Sequence, residues 1–534
     1  MPTASIDLSC SPASPALPAG QESSTFVLIR IRVGPAAAPT ARPRLSAVLA
    51  LDVSGSMQGQ PLEHVVRSTE RIVELLAPGD SVGIVSFASS AQVVAPLCPL
   101  DPASRRRLQT AVRGLVAEGG TNLQDGLRCA GSLFPPRAPG EQRIVLLLSD
   151  GQPNVGPSSP RELGAEAARL RADGSPVSTL GYGAHHDEKV LIHVAELGGG
   201  RYAFVGEPQL AEASFAQALG AQLDVALEGP RLVLTPAEDA DIIRILGDYR
   251  TSIGADGLRV ALRDLVAGEE LKLVVEMRVR AWREGSWKML YASLTGQEPG
   301  GGGVHHGQTH AAVEVGGARS VDGAVEAEVQ VALADEQRTR ARGLADRGDF
   351  AGAAALLRGV LRSLEQTPGF RRSSGDRMDD AYDALLDDVT VYEQRPDAER
   401  YAHYTKAQQD YLSLSKGGAS LTSMSPSAQS MTAKLQQGGA RGRVLVVVGP
   451  GRGASREVRG RLVIGRGVSC DLAIPSPSLS RQHAVIEQVG GQFWLVDLGS
   501  TNGIEVKGAR VQRHLLAHGD QFSVVDTTFR FEQT

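Results

Sequence analysis

One alternation constrains this chain more than anything else in it. Apolar runs at Leu45–Asp52, Val82–Phe87, Ile144–Ser149 and Pro176–Tyr182 are separated by stretches with helical spacing at Leu62–Leu76, about Ser104–Val116, from Asn122 onward, and at Arg161–Ala172. Parallel strands cannot be joined by a tight turn. They need a crossover, usually a helix, and the helices then cover both faces of the sheet. The strand runs are accordingly continuous in their apolar character, as strands buried on both sides must be. Residues 45–224 are therefore predicted to form an α/β domain on a mostly parallel sheet. That domain leaves most of a 534-residue chain unaccounted for; at roughly 100–200 residues per domain, about three to five domains are expected.

The flanks read differently. Residues 1–44 hold one clear strand, Phe26–Val33, among Pro/Ala-rich turns. Residues 229–331 return short strands with turn residues (Leu232–Leu234, Ile242–Leu246, Leu258–Leu262, Leu271–Val279), which predict an antiparallel β-sandwich. The early strands are expected to pair with those after Gly229, so that the α/β domain is inserted into a discontinuous sandwich. Residues 332–415 carry apolar residues at helical spacing, among them Leu356, Leu357, Val360, Leu361 and Leu364. Within this segment Ala345–Ala353 faintly resembles half of a tetratricopeptide repeat, and one copy makes no solenoid. Residues 416–442, rich in Ser, Gly, Ala and Gln without hydrophobic period, read as a flexible linker. Residues 443–534 alternate short strands with Gly/Ser/Asn turns and are expected to form a small all-β domain. The fold class is thus multidomain, α/β plus all-β.

Two side-chain constellations carry chemistry. The first is Asp52-Val53-Ser54-Gly55-Ser56, at the end of an apolar strand, with Thr121 at a helix start and Asp150 at the end of a second apolar strand. In an open α/β sheet, ligands bind at the carboxyl ends of the strands. All five side chains are hard oxygen donors, which suit Mg²⁺. Two carboxylates only balance one divalent ion, so the metal would stay electrophilic and accept a carboxylate from a partner. These residues resemble the metal-ion-dependent adhesion site of von Willebrand factor A domains. The resemblance implies a Rossmann-like sheet over residues 45–224, with Ser54, Ser56 and Thr121 as principal ligands and Asp52 and Asp150 binding directly or through water.

The second constellation lies in the tail: Gly465-Arg466, then Ser480-Arg481-Gln482-His483, then Thr501-Asn502-Gly503, each in a turn beside a strand. A dianionic phosphate needs a guanidinium and short hydroxyl or amide donors on one loop surface. Residues 441–534 carry a charge of +4, which leaves −9 for the rest of a chain whose net charge is −5. This tail resembles a forkhead-associated (FHA) domain, and the likeness includes Val496-Asp497-Leu498-Gly499-Ser500-Thr501-Asn502-Gly503. The resemblance implies a β-sandwich that binds phosphothreonine peptides. Arg466, Ser480, Arg481 and Thr501 would lie at the phosphate, Asn502 on the peptide backbone, and Gly465 and His483 would act as structural supports. Thr422 and Thr432 in the linker are candidate phosphoacceptors for a Ser/Thr kinase.

Other signals are weaker. Gly79-Asp80-Ser81-Val82-Gly83 matches a nucleophile elbow, but a helix precedes it and a strand follows, the reverse of what an elbow needs. Gly449–Gly453 lacks the Gly-Lys-Ser/Thr ending of a P-loop. His185-His186-Asp187 and His305-His306 have no further ligand at a recognisable spacing, and Arg105-Arg106-Arg107 has no interleaved aromatics. The four cysteines show no C-x-x-C spacing and read as reduced thiols. No apolar run approaches the ~20 residues of a membrane span. The N-terminus has no basic and apolar leader, so a bacterial cytoplasmic location is expected. The expected function is a non-enzymatic signalling adaptor with an acidic protein ligand at the metal site, a phosphothreonine protein at the tail, and no nucleic acid. An accessory subunit of an ATP-driven remodelling or chelatase-type complex ranks second. A metal-dependent hydrolase ranks third, because no paired base or nucleophile is visible.

Overall fold

A computed structural model describes residues 4–35, 43–205, 218–299, 303–367, 370, 377–395, 401, 427 and 442–533, except residues 139, 183–187, 248, 459–460, 468–469, 490–491, 499 and 525. Thr422, Thr432 and the His185-His186-Asp187 cluster lie outside the described residues.

The α/β domain is built on one sheet. Its spatial order is Ala91–Pro99, Ser81–Phe87, Arg44–Asp52, Glu141–Ser149, Val177–Tyr182, Gly199–Val205. Neighbours are parallel, except that Ala91–Pro99 runs antiparallel to Ser81–Phe87. Around the sheet lie helices α1 (Gln60–Leu75), α2 (Pro102–Arg113), α3 (Leu123–Ser132), α4 (Pro160–Ala172) and α5 (Glu188–Gly198). The central strand Arg44–Asp52 is buried at every residue except Arg44. Leu45, Leu49 and Leu51 face one apolar core and Val48 and Ala50 the other. The chain leaves this strand to one side, through α1 to Ser81–Phe87, and Glu141–Ser149 flanks it on the other side. A topological switch point of this kind opens a crevice at the carboxyl ends of the strands. Two strands had no clear sequence signal. Ala91–Pro99 is a half-exposed edge, and Gly199–Val205 begins within Gly198-Gly199-Gly200, where strand propensity is lowest.

The basic run at the start of α2 has a structural use. Arg105 donates to the carbonyl of Val73 and, at 2.6 Å, to that of Leu76, at the end of α1. These carbonyls have no partner within their own helix. Gly79-Asp80-Ser81 is a turn in which the buried Asp80 carboxylate accepts from Leu45 N at 3.1 Å and Ala77 N at 2.9 Å.

The sandwich is assembled from both sides of the α/β domain. One sheet has the order Ile6–Pro12, Gln21–Val33, Glu270–Ala281, Ala240–Ile245. Gln21–Val33 pairs antiparallel with Glu270–Ala281, with Val27 opposite Val275 and Ile31 opposite Leu271. The second sheet has Thr251–Gly254, Gly257–Ala261, Val225–Pro236, Gly285–Gln297, Val304–Val315 and Ala16–Leu17 in order. Val27, Ile29, Ile31 and Val33 pack between the sheets with Leu232, Leu234 and Leu294.

Helices follow, among them α6 (Gly323–Ala345), α7 (Phe350–Glu365) and α8 (Arg377–Gln394). The first begins at Gly323, not at residue 332. Val325-Glu326-Ala327-Glu328-Val329-Gln330-Val331 alternates like a strand, yet Asp322 caps it, accepting from Ala324 N and Val325 N. Val325 and Val329, one helical turn apart, pack on Leu28 and Val274 on the outer face of the first sheet. That face is why Phe26 and Leu28 are apolar on the side away from the sandwich core, where Arg30 and Arg32 follow. α6, α7 and α8 share a core of Ala334, Leu357, Leu361, Leu385 and Tyr392. On the way, α8 buries Asp388 against Arg338 of α6 at 2.7 Å.

The tail domain is two facing sheets around Phe493, Phe522, Phe529 and Phe531. All four cysteines are free thiols. Among the described residues no helix is long and apolar enough to cross a membrane.

Candidate functional site

The first site forms at the switch point. Asp52 ends the central strand and is fully buried; its Oδ1 accepts from Ser54 N at 2.9 Å, and its Oδ2 accepts from Ser149 Oγ. Ser54 Oγ and Ser56 Oγ lie 3.1 Å apart. The loop carrying Thr121 is tied to this turn by Gly55 N donating to Gly119 O at 3.0 Å and Glu118 N donating to Val53 O at 2.8 Å. Thr121 N donates to Asn154 Oδ1 at 2.7 Å, and Gly120 admits this packing because a Cβ there would lie 2.6 Å from the same oxygen. Asp150 ends the neighbouring strand; its Oδ1 accepts from Gln152 N at 3.3 Å.

Two features define the chemistry. Burial pushes the Asp52 carboxyl up to about 6, against the lowering effect of its hydrogen bonds from Ser149 and Ser54, and Asp150 adds repulsion. Thr121 Oγ1 is buried without any hydrogen-bond partner among the described residues. A buried hydroxyl without a partner is costly, and a carboxyl that burial drives toward protonation lacks a counter-charge. Both deficits are of the kind a divalent cation corrects, so the donor set fits a hard cation. Ser149 and Asn154 orient Asp52 and Thr121, and neither was singled out from the sequence; the Ser149-Asp150 pair at a strand end was the available signal.

The second site forms on the loops of the tail domain. Arg466 and Ser480 share a main-chain hydrogen bond, Arg466 N to Ser480 O at 3.1 Å. Thr501 N donates to Ser480 Oγ at 3.1 Å, and Ser480 Oγ donates to Thr501 Oγ1 at 3.3 Å. Asn502 donates to Ser478 O at 2.8 Å, at the rim of the same surface. Gly465 is required by crowding, since a Cβ there would sit 2.2 Å from Arg481 O. His483 is fully buried. Its Nδ1 accepts from Ser480 N at 3.0 Å, and its Nε2 faces Gly503 O at 3.1 Å. Burial pulls its pKa down to about 4, so the ring is a neutral strut with Nε2 protonated.

The surface that carries Arg466 and Arg481 is not bare. Arg466 Nη1 pairs with Asp383 Oδ1 at 2.6 Å and Nη2 with Asp387 Oδ1 at 3.1 Å. Arg481 donates from its main-chain N to Asp387 Oδ2 at 3.3 Å and from its guanidinium to the carbonyl of Asp380 at 2.8 Å. All three acidic residues belong to α8, within the segment that the sequence predicts only to be helical. The signal was present as Asp380, Asp383 and Asp387, spaced three and four apart on one helical face.

Comparison with known proteins agrees with this architecture. Residues 47–152 match the model of the von Willebrand factor type A domain and residues 462–525 that of the FHA domain. The chain therefore carries a von Willebrand factor A domain toward its N-terminal end and an FHA domain at its C-terminal end. An uncharacterised protein of Synechocystis sp. is 30% identical over 202 residues, covering 37% of this chain and 46% of its own. The inter-alpha-trypsin inhibitor heavy chain H4 of Bos taurus is 28% identical over 164 residues, 29% of this chain and 18% of its own. The chain thus spans less than half the length of either relative. A solved von Willebrand factor type A structure from Catenulispora acidiphila superposes with a TM-score of 0.55 at 18% identity, covering 68% of this chain and 87% of that one, which is a likeness of fold.

Proposed function

We propose that this protein is a non-enzymatic adaptor with two recognition ends. At the A domain, Asp52, Ser54, Ser56, Thr121 and Asp150 hold Mg²⁺ or another divalent cation, which when bound offers an open position to a carboxylate of a protein partner. At the FHA domain, Arg466, Arg481, Ser480 and Thr501 receive the phosphate of a phosphothreonine peptide, with Asn502 on the peptide backbone. The observation that carries this reading is the Arg466 guanidinium, which already takes two carboxylates at 2.6 and 3.1 Å beside Ser480 and Thr501. A guanidinium with paired acceptor oxygens beside small hydroxyl donors is the arrangement a phosphate needs. The orphaned Thr121 Oγ1 supports the metal reading in the same way. The two ends would let the chain join a partner bearing a carboxylate to one marked by a Ser/Thr kinase.

The test is fluorescence anisotropy with the full chain and a labelled peptide pool centred on phosphothreonine, against the same pool unphosphorylated. Preference for the phosphorylated pool, reduced at least tenfold in Arg466→Ala, is expected. Equal binding of both pools would overturn the reading. Calorimetric titration of Mg²⁺ into wild type and Asp52→Ala tests the other end, and binding lost in the variant is the expected result.

A further inference from the structure

The FHA surface is occupied by the chain's own helix. α8 places Asp380, Asp383 and Asp387 on one face, and that face lies across the two arginines of the phosphate site. Asp383 and Asp387 each take one arm of the Arg466 guanidinium. Together they bring two negative charges, close to the −1.5 to −2 of a phosphorylated threonine. Asp387 also accepts from the main-chain N–H of Arg481, on the turn that carries Ser480. Asp383 and Asp387 are one helical turn apart, where like charges repel. Arg466 relieves that repulsion, so helix and loop each supply what the other lacks. Asp388, on a different face of α8, pairs with Arg338 inside the helical layer. The acidic ridge toward the FHA domain is therefore additional to what holds the helices together.

We propose that α8 is an intramolecular pseudo-ligand that occludes the FHA site, and that an incoming phosphothreonine peptide must displace it. This inference rests on the phosphothreonine reading of the site. Its basis is the division of labour among the donors. The helix engages the charged half of the site, the guanidinium of Arg466 and the main chain and side chain of Arg481. Ser480 Oγ and Thr501 Oγ1 are bonded to each other at 3.3 Å. A phosphate with three acceptor oxygens can use those hydroxyls as well as the arginines. The helix competes through attachment to the same chain, since a tethered ligand acts at an effective concentration set by its linker. The occupant is thus weaker per contact and always present, which sets a threshold: ligands that only offer negative charge gain nothing over α8, and ligands that also engage Ser480 and Thr501 replace it. Displacement would free the acidic face of the helical layer when the reader is engaged.

The experiment compares full-length wild type with full-length Asp383→Asn/Asp387→Asn, using the labelled phosphothreonine peptide pool in anisotropy. The double variant keeps the Arg338–Asp388 pair. It should bind at least tenfold more tightly than wild type, while Arg466→Ala binds at least tenfold more weakly. Equal affinity of wild type and double variant overturns the occlusion and leaves phosphothreonine recognition intact. If no version of the chain prefers phosphorylated peptide, the site reading itself fails and the occlusion falls with it. A second measurement needs no substitution. Hydrogen exchange of Arg377–Gln394 in wild type should accelerate at least tenfold at saturating peptide. Unchanged protection of α8 with peptide bound overturns the proposal even if the double variant fails to fold.

Discussion

Thr121 and His483 are both buried polar side chains at a loop site, and they are solved in opposite ways. Thr121 Oγ1 has no hydrogen-bond partner among the described residues. Replacing it by valine keeps the branched shape and removes the orphan hydroxyl, so the metal-free protein should gain about 1 kcal/mol. The same change deletes a proposed ligand, so the rise in melting temperature on adding Mg²⁺ should shrink or vanish. Thermal melts of Thr121→Val in EDTA and in Mg²⁺ read both effects; a variant destabilised in EDTA would show that the hydroxyl serves packing rather than metal. His483 has a partner on each nitrogen and stays neutral with its pKa near 4, below the ordinary 6.5. The unfolded chain therefore takes up a proton near pH 6.5 that the folded domain refuses. Stability from this residue is complete above pH 6.5 and is lost as pH falls toward 4, amounting to roughly 3 kcal/mol over that window. The urea midpoint of the FHA transition should drop across it, and the His483 ring resonances should stay in their neutral positions until pH approaches 4.

At the scale of elements, α8 serves two neighbours with two sets of aspartates. Asp388 is buried and makes hydrogen bonds of 2.7 and 3.3 Å to Arg338, itself only 4% exposed. Asp388→Ala removes both of these hydrogen bonds and leaves the guanidinium its longer ion pair with Asp335 at 3.8 Å, and breaking a buried pair costs up to about 3–5 kcal/mol. Circular dichroism should show an early loss of helix in this variant. Asp383→Asn/Asp387→Asn leaves the Arg338–Asp388 pair in place, so its helical transition should stay closer to wild type than that of Asp388→Ala. What could be read from the sequence follows the same division. The Asp52, Thr121 and Asp150 cluster and the Arg466, Ser480 and Thr501 cluster sit at strand ends and turns, where residue type and local geometry are tied together. α6 begins before residue 332 although Val325–Val331 alternates with period two, because the Asp322 cap and the sheet beneath it select the helix. The ridge of α8 went unread for a different reason. Spaced aspartates are ordinary on a solvated helix face, and their partners Arg466 and Arg481 come from a distant domain.

At the scale of the molecule, the A domain is an insertion held by its base. Its entry and exit meet one turn of the sandwich: Gly268 N donates to Val33 O at 3.2 Å and to Gly34 O at 3.0 Å, and Ala267 N donates to Asp224 O at 2.8 Å. Ion pairs brace the same end, among them Arg201–Glu269 at 3.8 Å and two shorter ones. Arg137 is bidentate to Glu228 at 2.9 and 2.7 Å, and Arg171 reaches Asp264 at 3.0 Å and the carbonyl of Leu262 at 2.9 Å. Arg137 precedes the strand Glu141–Ser149 and Arg171 lies near the end of α4, before Val177–Tyr182, so both sit by the amino ends of the parallel strands. The Asp52 site lies at the carboxyl ends, roughly 25–30 Å away across a nine-residue strand. Anchor and metal site should therefore be energetically separable. Burial raises the Asp264 carboxyl, and Arg171 opposes that shift, so Arg171→Ala leaves a carboxylate in need of its cation. With Arg137→Ala added, the loss is expected to be about 2–4 kcal/mol, discounted because both arginines keep some contact with water. Calorimetry should then show the A domain melting apart from the sandwich, ahead of it, and wild type is expected to melt with the two together. Mg²⁺ affinity of the same double variant should stay within about twofold, and Mg²⁺ should raise only the A-domain transition. A Mg²⁺ affinity that falls with the braces would mean that the sheet transmits strain from base to metal site, and the insertion would then act as a coupled part of the sandwich.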